Sequence, residues 1–185
     1  MSSSSRLALL AASALLLAGC TSGPLYGTTH VDPATGARSS ILTDLRGRIA
    51  VTPASTRTAQ VFRNAVLYKL NGATPVSAPL YELRYTVTGT DQVASVEAGT
   101  GTPSAAIYRM SVQYQLVRTS DNKQIANGTR SAMVPYDRTN QLFAAERAVI
   151  DARDQAGEGA AERILGAIAP VLQREAFQTP TVAKN

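Results

Sequence analysis

The chain of 185 residues contains one cysteine, one histidine and no tryptophan, and aromatic residues make up only 5% of it. Each shortage excludes something. A lone thiol, Cys20, cannot close an internal disulfide. A lone imidazole, His30, leaves a Ser–His–acid triad without a well-placed base, and one His with one Cys cannot complete a closed zinc site. Glycine forms no phosphate-cradling loop: Gly99-Thr100-Gly101-Thr102 has no lysine behind it and reads as a hairpin turn. Asp151, Asp154, Glu158 and Glu162 alternate with Arg147, Arg153 and Arg163, the pattern of a solvated helix face. No enzyme activity, metal or cofactor is expected. Long apolar runs are also missing, for Leu7–Leu17 has about half of the ~20 residues that span a hydrocarbon core.

That short run has a purpose at the N-terminus. Arg6 precedes it and Leu17-Ala18-Gly19-Cys20 follows, so residues 1–19 read as an export signal. Small residues before the cut suit a peptidase pocket, and the thiol after it is a nucleophile available for acylation. The Leu17–Cys20 segment resembles the bacterial lipobox, which implies a diacylglycerol thioether and an N-acyl chain on Cys20. The alternative is an ordinary cleaved signal with Cys20 incidental. Each buried methylene contributes about 0.8 kcal/mol, so two or three chains anchor durably where one does not. Thr21 follows the cysteine where an inner-membrane retention signal would have aspartate. Resemblance to enterobacterial lipoproteins therefore implies the periplasmic face of the outer membrane, with the inner membrane as alternative.

The net charge of +5 is unevenly placed. Arg38, Arg46, Arg48, Arg57, Arg63, Lys69 and Arg84 stand against Asp44 and Glu82 in one stretch. A basic region on an exported protein can meet anionic lipid head groups, or it can be ordinary solubilising surface. No aromatic-interleaved basic motif is present, and no nucleic-acid partner is expected.

Residues 20–43 read as a lipidated tether, broken by Gly23-Pro24, Asp32-Pro33 and Gly36, with His30 inside it. The folded domain is expected over 44–176 and a disordered tail over 177–185. In Leu45–Val51 a period of two places Leu45, Gly47, Ile49 and Val51 on one face of a strand that Pro53 ends. From Thr58 to Leu70 the period changes: Ala59, Phe62, Val66 and Leu70 mark an amphipathic helix, capped by Asn71-Gly72. In Leu80–Val87, Tyr81, Leu83, Tyr85 and Val87 oppose Glu82, Arg84 and Thr86. Gly89 and Asp91 then interrupt the run, with Val93–Glu97 as its continuation. In Ile107–Val117, Tyr108, Met110, Val112, Tyr114 and Leu116 oppose Arg109, Ser111, Gln113 and Gln115. Ser120-Asp121-Asn122-Lys123 turns into a weaker strand, Gln124–Val134. A long helix from about Asn140 to Ala176 buries Ala145, Val149, Ala152, Ala156, Ile164, Ile168 and Leu172, with a bend or weak point expected at Gly157, Gly159 and Pro170. The expected fold is α+β: a two-layer α/β sandwich of about four strands with two helices on one face, in the order β-α-β-β-β-α.

Four stretches carry a family resemblance. They are the lipobox with Pro24-Leu25-Tyr26-Gly27 behind it; Phe62–Gly72 on the first helix; Ala126-Asn127-Gly128 leading to Pro135-Tyr136-Asp137; and Asn140–Ala144 through Ala148, Asp151-Ala152 and Ala156. In that order and spacing the chain resembles the lipopolysaccharide-assembly lipoprotein family (LptE, formerly rare lipoprotein B), in its alphaproteobacterial branch. The resemblance implies a non-catalytic plug and assembly partner of the outer-membrane β-barrel LptD that assists delivery of lipopolysaccharide to the outer leaflet. An auxiliary lipoprotein of a lipid-transporting ABC system is the competing reading. A polar Thr/Ser/Gln/Arg face suits the polar lumen of a barrel. Strand alternation, not a family motif, nominates Arg84, Arg109, Arg118 and Lys123 as contacts for lipopolysaccharide phosphates.

Overall fold

The structure is a computed structural model and describes residues 30–31, 38–99, 101–138 and 141–178. The expected signal over 1–19, Cys20, most of the tether and the chain beyond Gln178 lie outside the described residues. Two units are distinct, residues 1–40 and residues 41–185. Within the first, β1 (His30–Val31) pairs antiparallel with β2 (Arg38–Ser39).

The second unit opens with α1 (Ile41–Asp44), whose Ile41 and Leu42 are buried. The strand expected over Leu45–Val51 shortens to β3 (Ile49–Val51). The reason is Gly47, at φ +74°, which turns the chain and hands its N–H to the Asn71 side chain instead of to a strand. After Pro53, α2 (Arg57–Asn71) starts at Thr56, whose hydroxyl accepts from the Ala59 N–H. It ends where Gly72, at φ +59°, donates its N–H to the Tyr68 carbonyl. Ala59, Phe62, Val66 and Leu70 are its buried stripe, as the spacing predicts.

Three strands follow: β4 (Tyr81–Val96), β5 (Pro103–Arg118) and β6 (Gln124–Asp137). The sheet order is β3-β4-β5-β6, with β3 parallel to β4 and the rest antiparallel. α3 (Leu142–Gln178) closes the fold. The α+β architecture matches the reading of the sequence, and from β3 onward so does the element order; β1, β2 and the short α1 are additions to it. Among the described residues no helix is long and apolar enough to cross a membrane.

Lengths explain the packing. Sixteen-residue β4 and β5 extend ~53 Å at ~3.3 Å per residue. The 37 residues of α3 extend ~55 Å at ~1.5 Å per residue. One helix can therefore follow the hairpin along its whole length. The expected interruption at Gly89 and Asp91 does not occur, and β4 runs straight through both. Gly89 is there for room: a Cβ on it would collide with the Tyr108 hydroxyl. Tyr108 lies across the bare backbone, and the Arg153 guanidinium sits 5.8 Å from its ring centroid. α3 runs as a single helix across Gly157, Gly159 and Pro170. A Cβ on Gly157 would meet Val61 Cγ1 at 2.7 Å, and one on Gly159 would meet the Ala132 Cβ at 3.3 Å. These glycines let α3 close on α2 and on β6. Ala152, Ala156, Ile164, Ile168 and Leu172 are buried as expected, while Ala145 and Val149 are only half-buried.

Candidate interaction face

The pleat sorts the strands into two faces. On the covered face, Leu83 aligns with Leu116 and Ala126, Tyr85 with Tyr114 and Gly128, and Gly89 with Met110 and Ala132. On the other, Arg84 aligns with Gln115 and Asn127, Thr86 with Gln113 and Thr129, Thr88 with Ser111 and Ser131, and Thr90 with Arg109 and Met133. The helices occupy the first face. Arg84, Thr86, Thr88, Thr90, Gln113, Gln115, Asn127 and Thr129 of the second are exposed. The result is a field made mainly of hydroxyls and carboxamides, three strands wide. A depression of about 210 Å³, lined by Arg84, Tyr85, Thr86, Gln113 and Gln115, interrupts it.

The four nominated basic residues do not form one cluster. Arg84 is on the polar face but is paired to Glu82 at 2.7 Å. Arg109 shares the face, half-buried, with its Nε enclosed and without a hydrogen-bond partner. Its strand neighbours place it six positions along β5 from Gln115, which aligns with Arg84. At ~3.3 Å per residue the two guanidiniums stand ~20 Å apart along the sheet, too far to share one phosphate. Arg118 aligns with Tyr81 and binds two carboxylates, Asp121 at 2.9 Å and Glu175 on α3. The bond to Glu175 is the first cause holding its guanidinium pKa above the ordinary value. Arg118 also helps line a small apolar hollow with Leu45, Leu80 and Tyr81. Its charge is thus committed to two carboxylates of the same chain. Lys123 is exposed on the β5–β6 turn, where its backbone N–H donates to Asp121 Oδ1 at 3.2 Å.

Nothing on this face pairs a nucleophile with a base. Among the described residues no group of His, Cys, Asp and Glu is placed to hold a metal ion. The groups with shifted acidity are structural. Burial first, then Glu175, pushes the Tyr81 phenol up. Burial, then a 3.1 Å hydrogen bond to Asp91, does the same for Tyr136. Tyr85 is raised by burial, with Arg63 opposing, and its hydroxyl is enclosed without a partner.

Tyr85 yields a pH prediction. A phenol whose folded pKa exceeds its unfolded one keeps its full contribution below the unfolded value, and that contribution is lost as pH rises through the folded one. Stability should therefore fall above pH ~10. Tyr85→Phe removes one of the three phenols responsible and an unsatisfied hydroxyl, so it should stabilise by up to ~1 kcal/mol and make that decline shallower. Urea melts on both sides of that pH check it; a less stable variant with an unchanged slope would contradict it.

Sequence reasoning located the polar face through alternation alone. It missed the carboxylates that neutralise Arg84 and Arg118, because Glu175 is 57 positions from Arg118 in the chain and only the packing of α3 brings it close.

No family model matches the chain, and no curated protein matches it. Solved structures do share its fold. A putative lipoprotein from Caulobacter crescentus CB15 superposes with a TM-score of 0.56 at 22% identity, over 72% of this chain and 96% of that one. The rare lipoprotein B from Shewanella oneidensis gives 0.51 at 16% identity, over 71% and 97%. A minor lipoprotein from Acinetobacter baumannii gives 0.50 at 16% identity, over 68% and 94%. The chain has the α+β fold of these bacterial lipoprotein domains, and it spans nearly their whole length.

Proposed function

We propose that this chain is a non-catalytic, lipid-anchored component of lipopolysaccharide assembly at the outer membrane, acting as plug and assembly partner of the LptD β-barrel. Its anchor is the acylated Cys20. One observation carries the reading: the sheet face opposite the helices exposes a field of hydrogen-bonding side chains, Thr86, Thr88, Thr90, Gln113, Gln115, Asn127 and Thr129. A partner with a polar, curved wall satisfies such a face, and the lumen of an outer-membrane barrel is a wall of that kind. A fold shared with a rare lipoprotein B supports the same reading.

The test is affinity purification of the full chain from outer membranes, with mass spectrometry of what comes with it. Thr88→Glu with Gln113→Glu adds two charges on exposed strand positions without touching the core. This variant should keep its melting temperature and lose the co-purifying barrel by about tenfold or more, as expected when unpaired charge is buried at an interface. Cys20→Ala should move the protein to the soluble periplasmic fraction with an unchanged melting temperature. Recovery of inner-membrane transporter subunits in place of a barrel would support the ABC-system reading and reject this one.

A further inference from the structure

A second surface has a different chemistry from the sheet face and does not depend on the function proposed above. Beside the first turns of α2 is a concavity of about 550 Å³, lined by Ser55, Thr56, Arg57, Gln60, Arg63 and Asn64 among others. Every one of these six side chains is polar, and two are guanidiniums. Both arginines are held in place by neutral groups: Arg57 Nη1 donates to Gln60 Oε1 at 3.3 Å, and Arg63 Nε donates to the Thr52 carbonyl at 3.0 Å. Neither is in an ion pair among the described residues, in contrast to Arg84 and Arg118.

The Arg63 anchor uses Nε and leaves both of its Nη groups uncommitted; the Arg57 anchor leaves Nη2. Two forks with unused N–H groups on one hollow match the several acceptor oxygens of a tetrahedral dianion. The N-terminal turn of α2 adds positive partial charge on the same side. An adjoining hollow shares Arg57 and Asn64 but is lined by Asp154 and Glu158. Those carboxylates repel an anion and confine it to the Arg63 side.

We infer that the hollow between the Pro53–Thr56 connection and α2 is a binding site for a phosphate monoester, with Arg57 and Arg63 as its charged contacts. Phosphate of this class comes from a lipid head group or from free phosphate. The experiment separates the two with three probes on the detergent-solubilised full chain: inorganic phosphate, dihexanoyl phosphatidic acid and dihexanoyl phosphatidylcholine. Calorimetric titration should show binding of phosphatidic acid, of inorganic phosphate or of both, and not of phosphatidylcholine. Binding of both assigns the recognition to the phosphate itself; binding of phosphatidic acid alone assigns it to a lipid head group. Arg57→Gln with Arg63→Gln should weaken binding about tenfold or more, the loss expected for charge-assisted bonds, while Arg174→Gln, at an exposed position on α3, leaves it unchanged. On the wild-type chain, the bound probe should shift the Arg57 and Arg63 Nε resonances and leave that of Arg174 in place, a readout that needs no variant to fold. Absence of binding by both phosphate probes, shifts at other arginines only, or equal loss in Arg174→Gln would overturn the assignment.

Discussion

Asn71→Ala is expected to cost about 2–5 kcal/mol of folding stability, more than most single polar substitutions in a domain of this size. Asn71 is 3% exposed at the last turn of α2. Its Oδ1 accepts the Gly47 N–H at 3.0 Å and its Nδ2 donates to the Ile49 carbonyl at 2.9 Å. One side chain thus satisfies a donor and an acceptor on the approach to β3. Alanine removes both bonds and leaves two backbone groups facing an interior with little else to offer them. Asn71→Asp keeps the acceptor but loses the donor and adds a buried charge, so it should be no milder. Urea unfolding followed by circular dichroism measures the change. A loss below ~1 kcal/mol would mean that the clamp is dispensable.

Phe62→Ala should cost a comparable or larger amount, ~3–5 kcal/mol. Phe62 is fully buried and meets Tyr85 edge-to-face, with ring centroids 4.9 Å apart at 61°. The cost of a truncated core residue depends on whether its surroundings can collapse into the gap. Here collapse is blocked on two sides. The sheet lies beneath, and above it α3 already touches α2 backbone to backbone at Gly157, where a Cβ would lie 3.5 Å from the Phe62 nitrogen. Phe62→Leu fills most of the volume and should lose much less, so the difference between the two variants isolates the cavity. Equal melting temperatures for the two would show that the site relaxes freely.

The faces of the sheet could be read in the sequence because alternation is a local property. Tyr108, Met110, Val112, Tyr114 and Leu116 need no partner to reveal which way they point. The same holds for the stripe of α2 and for Gly72 at its end. What stayed hidden depended on contacts between distant segments. Gly157 and Gly159 look like helix breakers until Val61 and Ala132 are seen against them. Gly89 looks like a break in the strand until Tyr108 is seen against it. Asn71 reads as a cap residue, and only the approach of the Gly47 turn makes it a clamp. The polar hollow beside α2 is not legible in the sequence because its two arginines follow no motif; what distinguishes them is that neither forms an ion pair among the described residues of the folded chain. The same missing information affected Arg118, which looked available in the sequence and is bound to Glu175 in the structure.

The parallel pairing of β3 with β4 bears on how the chain folds. The β4–β5 and β5–β6 pairings join neighbouring segments through short turns and close at little entropic cost. β3 reaches β4 only after the whole of α2 has been laid down between them, and α3 must pack on elements far upstream. The meander is therefore expected to form first, with the two ends of the domain closing over it late. Asn71 belongs to that late closure, so its loss should speed unfolding and leave the refolding rate nearly unchanged. In kinetic terms, the clamp at the end of α2 sets how long the folded domain lasts, while the hairpins set how fast it arrives.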